Sequence, residues 1–179
     1  IAQHKTEELG KVNDFTEAER AELYDTIGLG ALKYFLLRVD PKKKMIFNPE
    51  ESIDFHGFTG PFIQYTHARI KSLVAKSGID TSAITMKAVD LLPEEVEIIK
   101  LLNDFPTTVD EAARELSPAV IANYTYELVK TYNHFYQAIP ILIEEDAAKK
   151  EMRLLLSVNV AKVIRLAMHL LGVAVPERM

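Results

Sequence analysis

The chain has 179 residues, with 48% apolar and 26% charged side chains and a formal net charge of −5, which is the composition of a folded domain rather than a disordered or fibrous chain. It holds no cysteine, which excludes disulfides and thiol chemistry, and its histidines (His4, His56, His67, His134, His169) lack zinc-ligand spacing, so no metal site is expected. No apolar run approaches bilayer length and no basic-then-apolar leader opens the chain, so no membrane partner is expected and the cytoplasm is the default location.

The chain opens on Ile1 inside a polar stretch and reads as part of something longer. Thr16 followed by Glu19 has the form of a capping box, and Ala21, Tyr24, Ile27, Leu32 and Phe35 keep helical spacing to about Arg38. Gly28 and Gly30 interrupt that helix, which predicts a kink, a bend or close packing against a neighbour. Residues 40–57 are turn-rich, with Pro41, the solvated run Lys42-Lys43-Lys44, Asn48-Pro49 and room for one short strand at Met45 to Phe47.

Gly60-Pro61 then predicts a sharp turn into a helix of about four turns. On it Phe62, Thr66, Ile70 and Leu73 form an inward stripe, while Tyr65, Arg69, Ser72 and Lys76 line the flank. A ring, a guanidinium and an ammonium in a row suit bases and phosphates. Pro93 predicts a short helix, Thr108 with Glu111 a second one, and Ser117-Pro118 the start of a long helix to about Ala138.

In that long helix Ile121, Tyr124, Leu128, Tyr132, Phe135 and Ile139 make the core stripe. Asn123, Tyr126, Lys130, Asn133 and Gln137 follow one another on the opposite, solvent side, as ligand contacts or, for Tyr126, as packing against a neighbouring helix. A last helix, from about Ala147 to Leu171, is apolar nearly all round and is expected at the centre of a bundle, with Gly172 ending it.

Charge is segregated along these elements. Residues 1–30 carry seven acids against three bases, and residues 80–115 carry nine acids against Lys87, Lys100 and Arg114. Residues 55–79 hold Arg69, Lys71 and Lys76 with no acid, and residues 147–179 hold six bases against Glu151 and Glu177. Such basic segments fit a nucleic-acid partner or plain solvated helix faces.

Catalytic signals are missing. There is no Gly-x-Ser-x-Gly elbow, no glycine-rich phosphate loop and no pair of histidines at ligand spacing. Glu50-Glu51, Glu94-Glu95 and Glu144-Glu145 are sequence neighbours that diverge on a regular element, and read as caps and solvated surface. His67 is read as a surface or interhelical hydrogen-bonding residue ahead of an RNA contact.

The stretch Gly57-Phe58-Thr59-Gly60-Pro61-Phe62-Ile63-Gln64-Tyr65-Thr66-His67-Ala68-Arg69 resembles the signature with which the C-terminal domain of arginyl-tRNA synthetases begins. Gly28-Leu29-Gly30-Ala31-Leu32-Lys33-Tyr34-Phe35, Ala122-Asn123-Tyr124-Thr125-Tyr126-Glu127-Leu128, Asn133-His134-Phe135-Tyr136 and the ending Leu171-Gly172-Val173 through Pro176-Glu177-Arg178-Met179 are similar to that family as well. The family usually has Asn where this chain has Phe58.

The resemblance implies an all-α fold, a helical bundle of the class I synthetase anticodon-binding (DALR) type behind an N-terminal helical and extended appendage. Residues 1–57 would be the tail of the catalytic core and its connector, and residues 58–179 the anticodon-binding domain. It implies tRNA(Arg) as partner, together with the missing N-terminal catalytic region of the same polypeptide in a monomeric parent. This part is expected to bind no cofactor and to hold no catalytic residue, with ATP and magnesium belonging to the full-length ligase. Carried over by motif, Tyr65 and Arg69 are the first candidates for anticodon contact, with Tyr136 and Met179 nearby; Asn123, Tyr126, Lys130 and Asn133 follow from the helical-face argument. The alternatives are a free-standing helical protein-interaction module and the anticodon domain of another class I synthetase.

Overall fold

A computed structural model describes residues 2–8, 14–85 and 87–179, and among them the secondary structure is entirely helical. The helices are α1 (Ala2–Glu8), α2 (Glu17–Leu37), α3 (Pro49–Ser52), α4 (Gly60–Ser77), α5 (Pro93–Glu115), α6 (Pro118–Ala138) and α7 (Ala147–Leu170). Their starts follow from local chemistry. At α2 the Thr16 side chain accepts from Glu19 N while the Glu19 carboxylate takes the Thr16 N–H, at 3.3 and 2.8 Å, closing a capping box. Thr59 caps α4 through Phe62 N, and Asp146 caps α7 through Ala148 N and Lys149 N.

α7 packs against α4, α5 and α6, which gives it the central position expected of its composition. Its outer side remains open, with Leu166 and Leu170 about half exposed. The main core gathers Tyr34, Ile63, Ile70, Ile98, Leu128, Tyr132, Phe135, Leu154, Ile164 and Met168. A smaller core of Leu23, Ile27, Ala31, Ile53 and Phe55 joins α2 to the connector and takes in Tyr65 and Met179 at its edge.

Three expectations change, and one set of alternatives narrows. α2 runs unbroken through Gly28 and Gly30, and of the kink, bend or close packing expected there, close packing holds at Gly30. A Cβ at Gly60 would stand 2.7 Å from the Gly30 carbonyl oxygen, and one at Gly30 would stand 2.4 Å from Gln64 Nε2, so α2 and α4 cross where neither carries a side chain. Gln64 pins the crossing by donating to Thr26 O and Ala174 O, at 3.0 and 2.8 Å.

The two helices expected from Pro93 and Thr108 are one, α5, with Pro106 inside it. Thr108 does not cap a new helix; its hydroxyl donates back to Asp104 O at 3.0 Å, the in-helix alternative open to threonine. The proline costs one ladder bond, and packing of α5 along α6 and α7 holds the helix across it. Ser117 stands at the N-cap of α6 but makes no capping bond with its side chain. Met45 to Phe47 is no strand: the segment has no partner strand among the described residues, and Phe47 lies edge-on to Phe35 at 5.4 Å.

The end of the chain is stitched down. Gly172 sits at φ 66°, Gly172 N donates to His169 O and Val173 N to Met168 O, both at 2.9 Å, which is a full Schellman ending. Beyond it Lys33 Nζ donates to Gly172 O, Lys71 pairs with Glu177 at 2.7 Å, and Arg178 pairs with Glu19 and lies over the Phe15 ring.

Candidate nucleic-acid interface

α4 carries Tyr65 and Arg69 one turn apart, and the end of α6 brings Tyr136 to the same place. The Arg69 guanidinium lies 4.7 Å from the Tyr65 ring centre and 5.4 Å from that of Tyr136, so both rings face its charge. Its Nη1 donates to Asn133 Oδ1 at 2.6 Å. No carboxylate pairs with Arg69 among the described residues.

Asn133 is the residue that fixes this geometry. Its Nδ2 donates to Thr66 Oγ1 at 2.9 Å and to Val129 O at 3.0 Å, while the Thr66 hydroxyl is spent on Phe62 O at 3.0 Å. With the amide nitrogen committed inward, the oxygen is left pointing at Arg69. Tyr132, beside it, is fully buried and donates to Ser157 Oγ at 3.0 Å; burial pushes its phenol upward, so it stays a neutral donor.

The cluster opens into a groove of about 710 Å³ that also takes in Ser72, Lys76, Leu142, Arg178 and Met179. Met179 therefore reaches the site from the far end of the sequence, and like Tyr65 it packs on the smaller core. The groove offers two aromatic faces, an unneutralised guanidinium and a lysine, a set that binds unstacked bases and phosphates.

Tyr65, Arg69, Tyr136 and Met179 thus meet in one place, and the second row on α6 does not join them as a row. Asn133 was expected on the solvent side and is 7% exposed; α6 is covered by α4 as well as by α5 and α7, so its buried sector is wider than one stripe. Tyr126 packs against Phe58 at 4.6 Å and Phe62 at 6.0 Å, the interhelical alternative. Asn123 donates to Ala119 O at 2.7 Å within its own helix, and Lys130 is exposed beside Glu127 at 3.4 Å. Phe58 itself meets Tyr34 edge-on at 5.8 Å, and Arg38 Nη1 donates to its carbonyl, so an aromatic joint stands where the related pattern has an amide.

His67 is neither on the surface nor bonded to another helix: its partner lies on the C-terminal tail. It is 2% exposed and its Nδ1–H donates to Pro176 O at 2.9 Å. Burial lowers its pKa, against the opposing pull of that bond and of Glu177, so it is neutral near pH 7. Lys71, Glu177 and Arg178 were not singled out in the sequence; only contact with the returning tail gives them a place at the groove.

The fold has counterparts among known proteins. Residues 63–179 match the family described as the DALR anticodon binding domain. The chain is 56% identical to an arginine–tRNA ligase of Flavobacterium psychrophilum and 51% identical to one of Bacteroides thetaiotaomicron, in each case over 99% of its own length. It spans about 30% of the length of these relatives. Among solved structures, that of Thermus thermophilus arginyl-tRNA synthetase superposes with a TM-score of 0.86 at 31% identity, over 99% of this chain and 30% of that one.

Proposed function

The chain belongs to the DALR anticodon-binding domain family, and from that premise we propose that it binds the anticodon stem-loop of tRNA(Arg) as the C-terminal part of an arginine–tRNA ligase. One observation carries the proposal: Arg69, held by a buried amide and bracketed by Tyr65 and Tyr136, faces an open groove and pairs with no carboxylate among the described residues. A base extruded from the loop stacks on Tyr65 or Tyr136, worth about 1–3 kcal/mol per base. Arg69 supplies a base-edge or phosphate contact. Met179 closes the groove, and Asn133 acts on the RNA through Arg69. Tyr126, Asn123 and Lys130 are peripheral in this reading.

The ligase chemistry, with its ATP and magnesium, belongs in this proposal to the catalytic region of a monomeric cytoplasmic parent, outside these residues. On α2, Leu29, Leu32 and Leu36 are exposed at i, i+3 and i+7, with Ile46 exposed at 91% nearby; a stripe of this kind fits a face covered by the rest of the polypeptide. The test is a salt-controlled titration of labelled tRNA(Arg) and of a non-arginine tRNA. Tyr65→Ala and Arg69→Ala are each expected to weaken tRNA(Arg) binding by about tenfold or more, which is about 1.4 kcal/mol, and to narrow the preference, whereas Lys43→Ala changes neither. Equal, unmeasurable losses in all three variants reject the assignment. Binding that is insensitive to salt favours a protein-interaction module instead.

A further inference from the structure

A second recess lies beside the groove, between α4 and α7. Its volume is about 410 Å³, and its polar lining is His67, Lys71, Thr81, Lys162, Arg165 and Glu177. It shares Lys71, Ala75 and Glu177 with the groove of Tyr65 and Arg69, so the two concavities have a common wall.

The charges on this wall do not cancel. Lys162 and Arg165 stand at i and i+3 on α7, both exposed and neither in an ion pair with an acid among the described residues. Lys71 pairs with Glu177 at 2.7 Å. Burial works against the charge of Glu177, but the Lys71 hydrogen bond and charge, with Arg165, outweigh it and hold the carboxyl below its usual range. His67 adds no charge, being neutral with its Nδ1–H committed to Pro176 O. Three cations therefore face one carboxylate, and two of them crowd one turn of helix, an arrangement that is mildly unfavourable in the absence of an anion.

We propose that this recess binds a phosphate group of the RNA backbone, held by Arg165 and Lys162 with Lys71 at the shared wall, next to the bases engaged at Tyr65 and Arg69. It rests on the anticodon reading for the identity of the RNA. The guanidinium gives the fork geometry that matches phosphate oxygens and the ammonium a mobile point charge. The groove then reads bases while the recess sets the register of the strand, the usual division between base contacts and phosphate contacts.

The experiment is a fluorescence-anisotropy titration of a labelled anticodon stem-loop and of a sequence-unrelated stem-loop with the 179-residue chain, repeated across salt concentrations. In the Lys162→Ala/Arg165→Ala variant, affinity is expected to fall for both RNAs alike. The slope of log K against log salt is expected to become shallower by about 0.7–0.9, the value for one lost phosphate contact. Removing the same charge elsewhere, in Lys42→Ala/Lys43→Ala, leaves the slope unchanged. Both substituted α7 residues are exposed, and circular dichroism checks that the helices are intact. A curve that superimposes on the wild type at every salt concentration overturns the recess while leaving the anticodon reading in place. Salt-dependent wild-type binding with no preference between RNAs, lost in the α7 variant, keeps the recess and removes the anticodon reading. No RNA binding by the wild type removes both.

Discussion

Two arginines in this bundle sit in opposite electrostatic settings. Arg153, on α7, is 5% exposed and donates from Nε to Glu95 at 2.7 Å and from Nη1 to Glu144. Glu95 spends its other oxygen on the Leu92 N–H at 2.8 Å, at the start of α5. Arg69, on α4, is only partly buried and has an amide and two rings around it, and no carboxylate among the described residues. A guanidinium placed between two carboxylates is satisfied by the protein and ties α5 to α7. One oriented by a neutral amide keeps its full charge, so in the proposed reading the partner chosen for each arginine separates a structural part from a binding one.

Truncating Arg153 breaks the comparison on its strong side and gives the largest expected effect. Arg153→Ala leaves Glu95 buried without its cation and is expected to cost about 3–5 kcal/mol in a denaturant unfolding experiment. Arg153→Met with Glu95→Gln removes the orphaned charge and keeps an acceptor for the Leu92 N–H, so most of that loss is expected to return. A single variant as stable as the wild type would mean that the pair is not holding the helices.

A smaller effect sharpens the other side. Asn133→Asp places a carboxylate against Arg69 and makes it resemble Arg153. RNA affinity is expected to drop about tenfold, about 1.4 kcal/mol, with the salt slope shallower by about one. The melting temperature is expected to shift far less than in Arg153→Ala, since the new ion pair offsets the two bonds lost to Thr66 and Val129. Undiminished RNA affinity would show that the free charge of Arg69 is not what the groove offers.

Much of this was legible along the chain because it is local. Thr16 with Glu19, Pro61, Pro118 and Gly172 each act within one turn of their own position, and the caps and breakers they announce fall close to where they were expected. Tyr65 and Arg69 were expected side by side because a helix sets them on one flank, and they line one groove. Pro106 misled because its local cost is outweighed by contacts that α5 makes with α6 and α7. Asn133 misled for a related reason, and Arg153 gave no signal at all: Arg69 and Glu95, which they bond, are 64 and 58 residues away, and no helical periodicity reports a partner on another helix. Glu95 was read as cap or solvated surface; it does cap α5 through the Leu92 N–H but is fully buried, which the sequence did not show because the arginine that makes its burial tolerable is not nearby in sequence.

The smallest expected effect concerns pH and separates the two regions by the window in which each loosens. The His67 pKa is lowered in the folded protein, by burial first, so around the ordinary histidine value of about 6.5 the folded state binds fewer protons than the unfolded one. The stability this contributes is present above that value and is lost as pH falls below it toward the folded-state pKa. Glu144 is held below the usual carboxylate range, by the Asp146 N–H first and by Arg153 as well. Its contribution therefore persists until the pH falls into and below that range. Between about pH 7.5 and 5.5, then, the tail bonded through Pro176 O is expected to loosen while the Arg153 cluster holds. Hydrogen exchange corrected for intrinsic rates should show the amides of residues 173–179 losing protection over that interval, with those of α5 and α7 near Glu95 and Arg153 unchanged. His67→Gln keeps a donor for Pro176 O but cannot titrate, so the difference in melting temperature between wild type and variant should turn against the wild type as the solution is acidified. A difference that stays constant from about pH 7.5 to 5.5 would show that protonation of His67 does not act on the tail, and that the groove is as insensitive to mild acid as the Arg153 cluster.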